Sequence, residues 1–128
     1  MKIIQNIIVK QVLTEKSKDG LLDKFQQSKF QLQKECDQLR FERKKMENNK
    51  KYQASTLHTY FEREINSRLE KIKVLDFQIE QLEILPIGSE LREKEVQAIV
   101  DINVGDSWDD ISHEKTIIIK EGIVVEMR

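Results

Sequence analysis

Residues 22–46, LDKFQQSKFQLQKECDQLRFERKKM, and residues 58–82, HTYFEREINSRLEKIKVLDFQIEQL, decide the fold. In the first stretch Phe25, Leu32, Leu39 and Met46 recur every seven residues, with Leu22, Lys29, Cys36 and Arg43 at the companion positions. In the second, Ile65, Ile72 and Ile79 recur in the same way, with Phe61, Leu75 and Leu82 as companions and Arg68 in the remaining slot. A seven-residue apolar repeat is what two helices need to share a seam. Around it, residues 15–83 hold no proline and one glycine, and are rich in Gln, Glu, Lys, Arg and Leu, all good helix formers.

If the chain reverses near Tyr52, every seam position meets another. Leu22 faces Leu82, Phe25 faces Ile79, Leu32 faces Ile72, Cys36 faces Arg68, Leu39 faces Ile65, Arg43 faces Phe61 and Met46 faces His58. Between the stretches, Asn48 and Asn49 can end one helix, and Ser55 or Thr56 can cap the next. The reading is a long antiparallel coiled-coil αα-hairpin over residues 15–83 with its turn near 48–55. Each arm holds roughly 28 residues, on the order of 40 Å at the rise of an α-helix. Polar members at Lys29, Cys36–Arg68, Arg43 and His58 predict a firm base and a softer tip.

Outward from the hairpin, both flanks read as strands. Residues 1–14 are dense in β-branched side chains, with Ile3, Ile4, Ile7, Ile8, Val9 and Val12 on both faces. Residues 95–104 alternate, with Val96, Ala98, Val100, Ile102 and Val104 on one face. The end, Thr116 to Met127, reads as a hairpin turning at Glu121-Gly122, because glycine takes the positive φ of tight turns. Residues 1–14 and 84–128 then form a small discontinuous antiparallel β domain, and the helical hairpin is inserted into it. The fold class is α+β.

The opening IIQNIIVKQVLTEKSK, the heptad middle, the junction LEILPIGSELREKEVQAIVDINVGDSWDD and the ending IIIKEGIVVEMR together resemble the YlqD family of small bacterial proteins, along essentially the whole chain. The resemblance implies a bacterial cytoplasmic protein and carries over no catalytic or binding residue.

Composition narrows function by exclusion. A single cysteine, Cys36, rules out an internal disulfide and a cysteine-rich zinc site, as suits a reducing compartment. The apolar start is interrupted by Gln5, Asn6 and Lys10, so neither an export signal nor a membrane span is expected. No P-loop, Gly-rich dinucleotide fingerprint or nucleophile elbow occurs, and Cys36 and His58 lie too far apart along the hairpin to form a catalytic pair. An enzyme, a cofactor, a metal and a small-molecule substrate are not expected.

The charge of −1 hides local asymmetry, since residues 84–128 carry five basic and ten acidic groups. The stretch from Arg40 to Lys51 carries six basic and two acidic groups. Arg40, Arg43, Lys44, Lys45, Lys50 and Lys51, with Tyr52, are the candidate contact residues, whether for phosphates or for a protein partner. The plainer alternative is a solvated helix face with Glu42 and Glu47 at helical spacing. The acidic segment from Asp101 to Asp110, followed by His113 and Glu114, lacks the calcium-loop spacing and reads as a turn. Trp108 is expected to close a small core. The leading functional expectation is a non-enzymatic interaction or scaffold protein that engages another protein, or its own copy, through the hairpin. The alternative is an RNA- or ribosome-associated factor using the basic tip. A holding chaperone, similar to prefoldin only in joining a β body to coiled-coil arms, is a third.

Overall fold

The computed structural model describes residues 1–48 and 54–128. The chain divides into two compact units, Met1–Lys18 with Leu85–Arg128, and Asp19–Ile84. The first is a four-stranded sheet built from β1 (Lys2–Val12), β2 (Glu90–Asp101), β3 (Lys115–Lys120) and β4 (Ile123–Met127), in the order β2-β1-β3-β4. β1 lies inside the sheet, bonded on both edges, as its apolar residues on both faces require. Val9 on β1 and Ile118 on β3 are fully buried and belong to opposite faces.

Two features depart from the expected antiparallel domain. β1 and β2 pair antiparallel, and so do β3 and β4, but β1 and β3 run parallel from Ile7↔Lys115 to Gln11↔Ile119. The sheet is therefore mixed. The chain leaves β2 at the end where β1 begins, since Asp101 lies beside Lys2, and crosses to the other side of β1 through the short helix α3 (Trp108–Ser112). Entering β3 from that end, it has to run the same way as β1. The second departure is the extent of β2, which begins at Glu90 rather than at residue 95. Its register slips between Val9 and Lys10 of β1, where Val9 faces Lys94 and Lys10 faces Arg92, so Glu93 is an extra residue. The alternation of Val96, Ala98 and Val100 holds on one side of that bulge and is lost on the other. Val104 lies beyond the strand, fully exposed, in a turn where Gly105 has φ 100°. The Asp106 carboxylate accepts the Asn103 N–H there at 2.7 Å.

The β3–β4 hairpin turns at Glu121 (φ 48°) and Gly122 (φ 80°). Two successive positive φ values are those of the tight turn whose twist suits a two-residue hairpin. Arg128, just past β4, grips the Glu90 carboxylate with both terminal nitrogens, one of them at 2.8 Å. Because β2 and β4 are the two outer strands, this pair ties one edge of the sheet to the other. The Glu90 carboxyl is held below the usual carboxylate range, chiefly by the Arg128 hydrogen bond and more weakly by Lys10.

Helix α1 (Glu15–Glu47) starts at a reciprocal cap. The Ser17 N–H donates to the Thr14 hydroxyl at 3.1 Å, and the Thr14 N–H donates to the Ser17 hydroxyl at 2.8 Å. It faces α2 (Ala54–Ile84) in an antiparallel hairpin. As α1 advances through Lys29, Glu35 and Cys36, its partners on α2 recede through Asp76 (2.6 Å), Arg68 (3.4 Å) and the Ile65 carbonyl (4.0 Å from the thiol). Every α1 seam position from Leu22 to Met46 is buried or half-buried, as are Phe61, Ile65, Arg68, Ile72, Leu75, Ile79 and Leu82 on α2. His58 is the exception: it is exposed and pairs with Glu62 at 2.9 Å, while Leu57 is half-buried instead. An apolar side chain gains from the seam and an imidazole beside a carboxylate gains from solvent, so Leu57 turns inward in place of His58. Ser55 and Thr56 lie inside the first turn of α2 rather than capping it. Most of the expected turn, residues 49–53, lies outside the described residues.

Candidate partner interface

Arg68 forms a polar layer in the hairpin's seam. Arg68 donates from Nη1 to the Glu64 carboxylate at 2.8 Å and to the Glu64 carbonyl at 3.0 Å. Its Nε lies 3.4 Å from Glu35, an ion pair without hydrogen-bond geometry. These contacts, the Glu64 hydrogen bond first, raise the Arg68 pKa and keep the guanidinium charged beside Cys36. Cys36 itself is 2% exposed, a small apolar filler without reagent access.

The basic candidates divide. Arg40 pairs with Asp37 at 3.2 Å and Arg43, half-buried, with Glu47 at 3.8 Å. Lys44 and Lys45 are exposed in the last turn of α1, where they also complement the helix dipole. Lys50, Lys51 and Tyr52 lie outside the described residues. On α2, Tyr60 is exposed and stands edge-on to the buried Phe61 at 5.1 Å between ring centroids. It borders a shallow open depression with Ser55, Thr56, Thr59 and Arg63.

Heptad reading missed two large aromatic side chains that stand in solvent. Phe30 and Phe41 on α1 are 58% and 63% exposed, pointing away from the seam. Each is followed four residues later by a lysine, and the Lys34 ammonium lies 4.6 Å from the centre of the Phe30 ring. Eleven residues separate the two phenylalanines. That is three helical turns, about 16 Å, so both lie on one face. The signal was present in the sequence as two aromatic residues out of phase with their own helix's heptads. On α2, Val74, Phe77 and Leu69 are also exposed.

The acidic segment differs from its expected role in one respect. Trp108 is 63% exposed and closes no core. It opens the five-residue α3, where Asp109 and Asp110 occupy the first turn and hold the segment in water. The Asp110 carbonyl lies 2.7 Å from His113 Nδ1, and Gln5 donates to the carbonyls of Ile111 (2.8 Å) and His113 (3.1 Å), fixing α3 to β1. Among the described residues no three His, Cys, Asp or Glu side chains gather closely enough to hold a metal ion, and no helix is long and apolar enough to cross a membrane.

Comparison with known proteins adds family and fold. A curated protein of Bacillus subtilis (strain 168), named Uncharacterized protein YlqD, is 45% identical over 128 residues, covering 100% of this chain and 98% of its own. A crystal structure of a protein of unknown function from Synechococcus sp. WH 8102 superimposes with a TM-score of 0.84. It covers 100% of this chain and 96% of its own at 15% identity, a likeness of fold alone. With the family described as YlqD protein matching residues 1–128 from end to end, the chain belongs to the YlqD family.

Proposed function

We propose that this protein is a non-enzymatic interaction protein of the bacterial cytoplasm, working through its hairpin as a coiled-coil arm. The observation that carries the reading is the exposure of Phe30 and Phe41 on the outer face of α1. Two phenylalanines left in water outside the seam of their helix gain from a partner that covers them, since aromatic side chains dominate interface energetics. A photo-reactive residue placed at Phe30 or Phe41 in living cells is expected to trap a discrete protein adduct, while the same residue at Lys71 is not. Absence of an adduct at both phenylalanine positions would count against the reading.

RNA or ribosome contact is the second reading, favoured by the exposed Lys44, Lys45 and Tyr60 at one end of the hairpin. It predicts salt-sensitive co-sedimentation with ribosomes, lost on reversing Lys44, Lys45, Lys50 and Lys51 to glutamate. Binding unaffected by the reversal would dismiss it.

A further inference from the structure

The outer face of α1 has a chemistry of its own. Phe30, Lys34, Phe41, Lys44 and Lys45 are all exposed and follow one another at spacings that return to the same side of a helix. The one carboxylate among them, Asp37, is already paired with Arg40. The face therefore offers two apolar rings flanked by three cations. The complement is carried by the same chain. Around α3, Val104 is fully exposed and Trp108 is 63% exposed, and Asp109, Asp110 and Glu114 are exposed beside them. Two apolar groups thus stand among carboxylates, exposed Asp106 included, opposite in sign to the cations that flank the two rings of α1.

Building on the interaction reading above, we infer that the occupant of the α1 face is a second copy of this chain, which presents its α3 segment. Trp108 of that copy lies against Phe41 with its carboxylates toward Lys44 and Lys45, and Val104 lies toward Phe30 and Lys34. Apolar contact supplies the affinity, because exposed charge pairs add little each. The charges select which surfaces meet, since two α1 faces together would set lysine against lysine. A contact between two different surfaces is heterologous and propagates from copy to copy unless it closes into a ring.

Sedimentation velocity of the full chain over a range of concentrations and salt is the test. Association that weakens with salt is expected. Lys34→Glu/Lys44→Glu/Lys45→Glu and Asp109→Lys/Asp110→Lys/Glu114→Lys should each weaken it at least about tenfold, and mixing the two variants should restore it. Phe41→Ala and Trp108→Ala should each weaken it by about the same factor. Lys71→Glu/Lys73→Glu, a comparable change of charge on α2, should leave it in place. Far-ultraviolet circular dichroism identifies any variant that has lost its fold, and the mixing arm is scored only for folded pairs. A chain monomeric at every salt concentration overturns the inference, as does association that ignores the α1 and α3 variants or responds equally to the α2 control. If the monomeric chain still yields a photo-adduct to another protein at Phe41, self-docking fails and the interaction reading stands.

Discussion

The two helices of the hairpin bury different amounts of side chain in the seam they share. α2 places Phe61, Ile65, Ile79 and Leu82 in the seam, all of them buried, and Phe61 is only 1% exposed. α1 commits one fully buried side chain, Cys36, and carries Phe30 and Phe41 on the outside. Both helices exceed thirty residues and both carry heptads, so neither length nor repeat separates them. The difference lies in which residues occupy the repeat. α2 supplies most of the buried apolar bulk, and α1 contributes half-buried residues to the seam while presenting large rings to solvent. The buried bulk of the seam comes mainly from α2, while exposed rings stand on both helices, Phe30 and Phe41 on α1 and Tyr60 and Phe77 on α2.

The most severe way to break this contrast is to remove α2's largest buried ring. Phe61→Ala is expected to destabilise the protein by about 3–5 kcal/mol, the cost of lost transfer energy and of the cavity left behind. Urea titration followed by circular dichroism reads the change. A loss below about 1 kcal/mol would mean that the hairpin closes over the gap and that the seam is not packed as described.

α1, with less buried in the seam, depends more on its own ends. Thr14→Ala removes the hydroxyl that accepts the Ser17 N–H, and the same titration should show a loss of about 1 kcal/mol, the usual worth of such a cap. Hydrogen exchange should locate the added opening in the first turn of α1. Uniform loosening of both helices would instead show that the cap serves the whole chain.

How much of this was legible in the sequence follows from how far each feature is local. Heptad spacing marked the seam residue by residue, because a seam position is buried by its phase along its own helix. Leu57 and His58 show the limit: both lie within a residue of the inward phase, and a solvent-facing pair with Glu62 settled which one turned out. Strand positions and the Glu121-Gly122 turn were also local signals. The parallel pairing of β1 with β3 was not, because it depends on the side of β1 to which the chain crosses after β2, and no residue pattern records that choice. The Glu90–Arg128 tie is equally non-local, joining residues 38 apart on opposite edges of the sheet. At the candidate interface, Lys44 and Lys45 were legible as charge, whereas Phe30 and Phe41 passed unnoticed because aromatics are read first as core.

Phe41→Ala, chemically the same deletion as Phe61→Ala, is expected to change the stability of the monomer by no more than about 0.5 kcal/mol, because an exposed ring has little burial to lose. Comparing the two variants at a concentration where only monomer is present isolates the seam from the display surface. Equal losses would erase the distinction between the helices.

The finest test addresses the polar layer. Arg68 sits at a seam position and interrupts an otherwise apolar α2 row, held by Glu64 and approached by Glu35. Replacing a paired charge with an apolar side chain of similar length removes a desolvation cost together with an attraction, and the two nearly cancel. Arg68→Met is therefore expected to leave the unfolding midpoint unchanged or slightly raised, while Arg68→Asp, which sets a third carboxylate beside Glu35 and Glu64, should lower it. If the layer's value lies in register, the methionine variant keeps its stability and loses its single pairing. Cross-linking between cysteines at Lys29 and Asp76, on a Cys36→Ser background, would then fall relative to the parent. Undiminished cross-linking would place register in the apolar positions alone, and Arg68 would be a charge the seam tolerates and does not use.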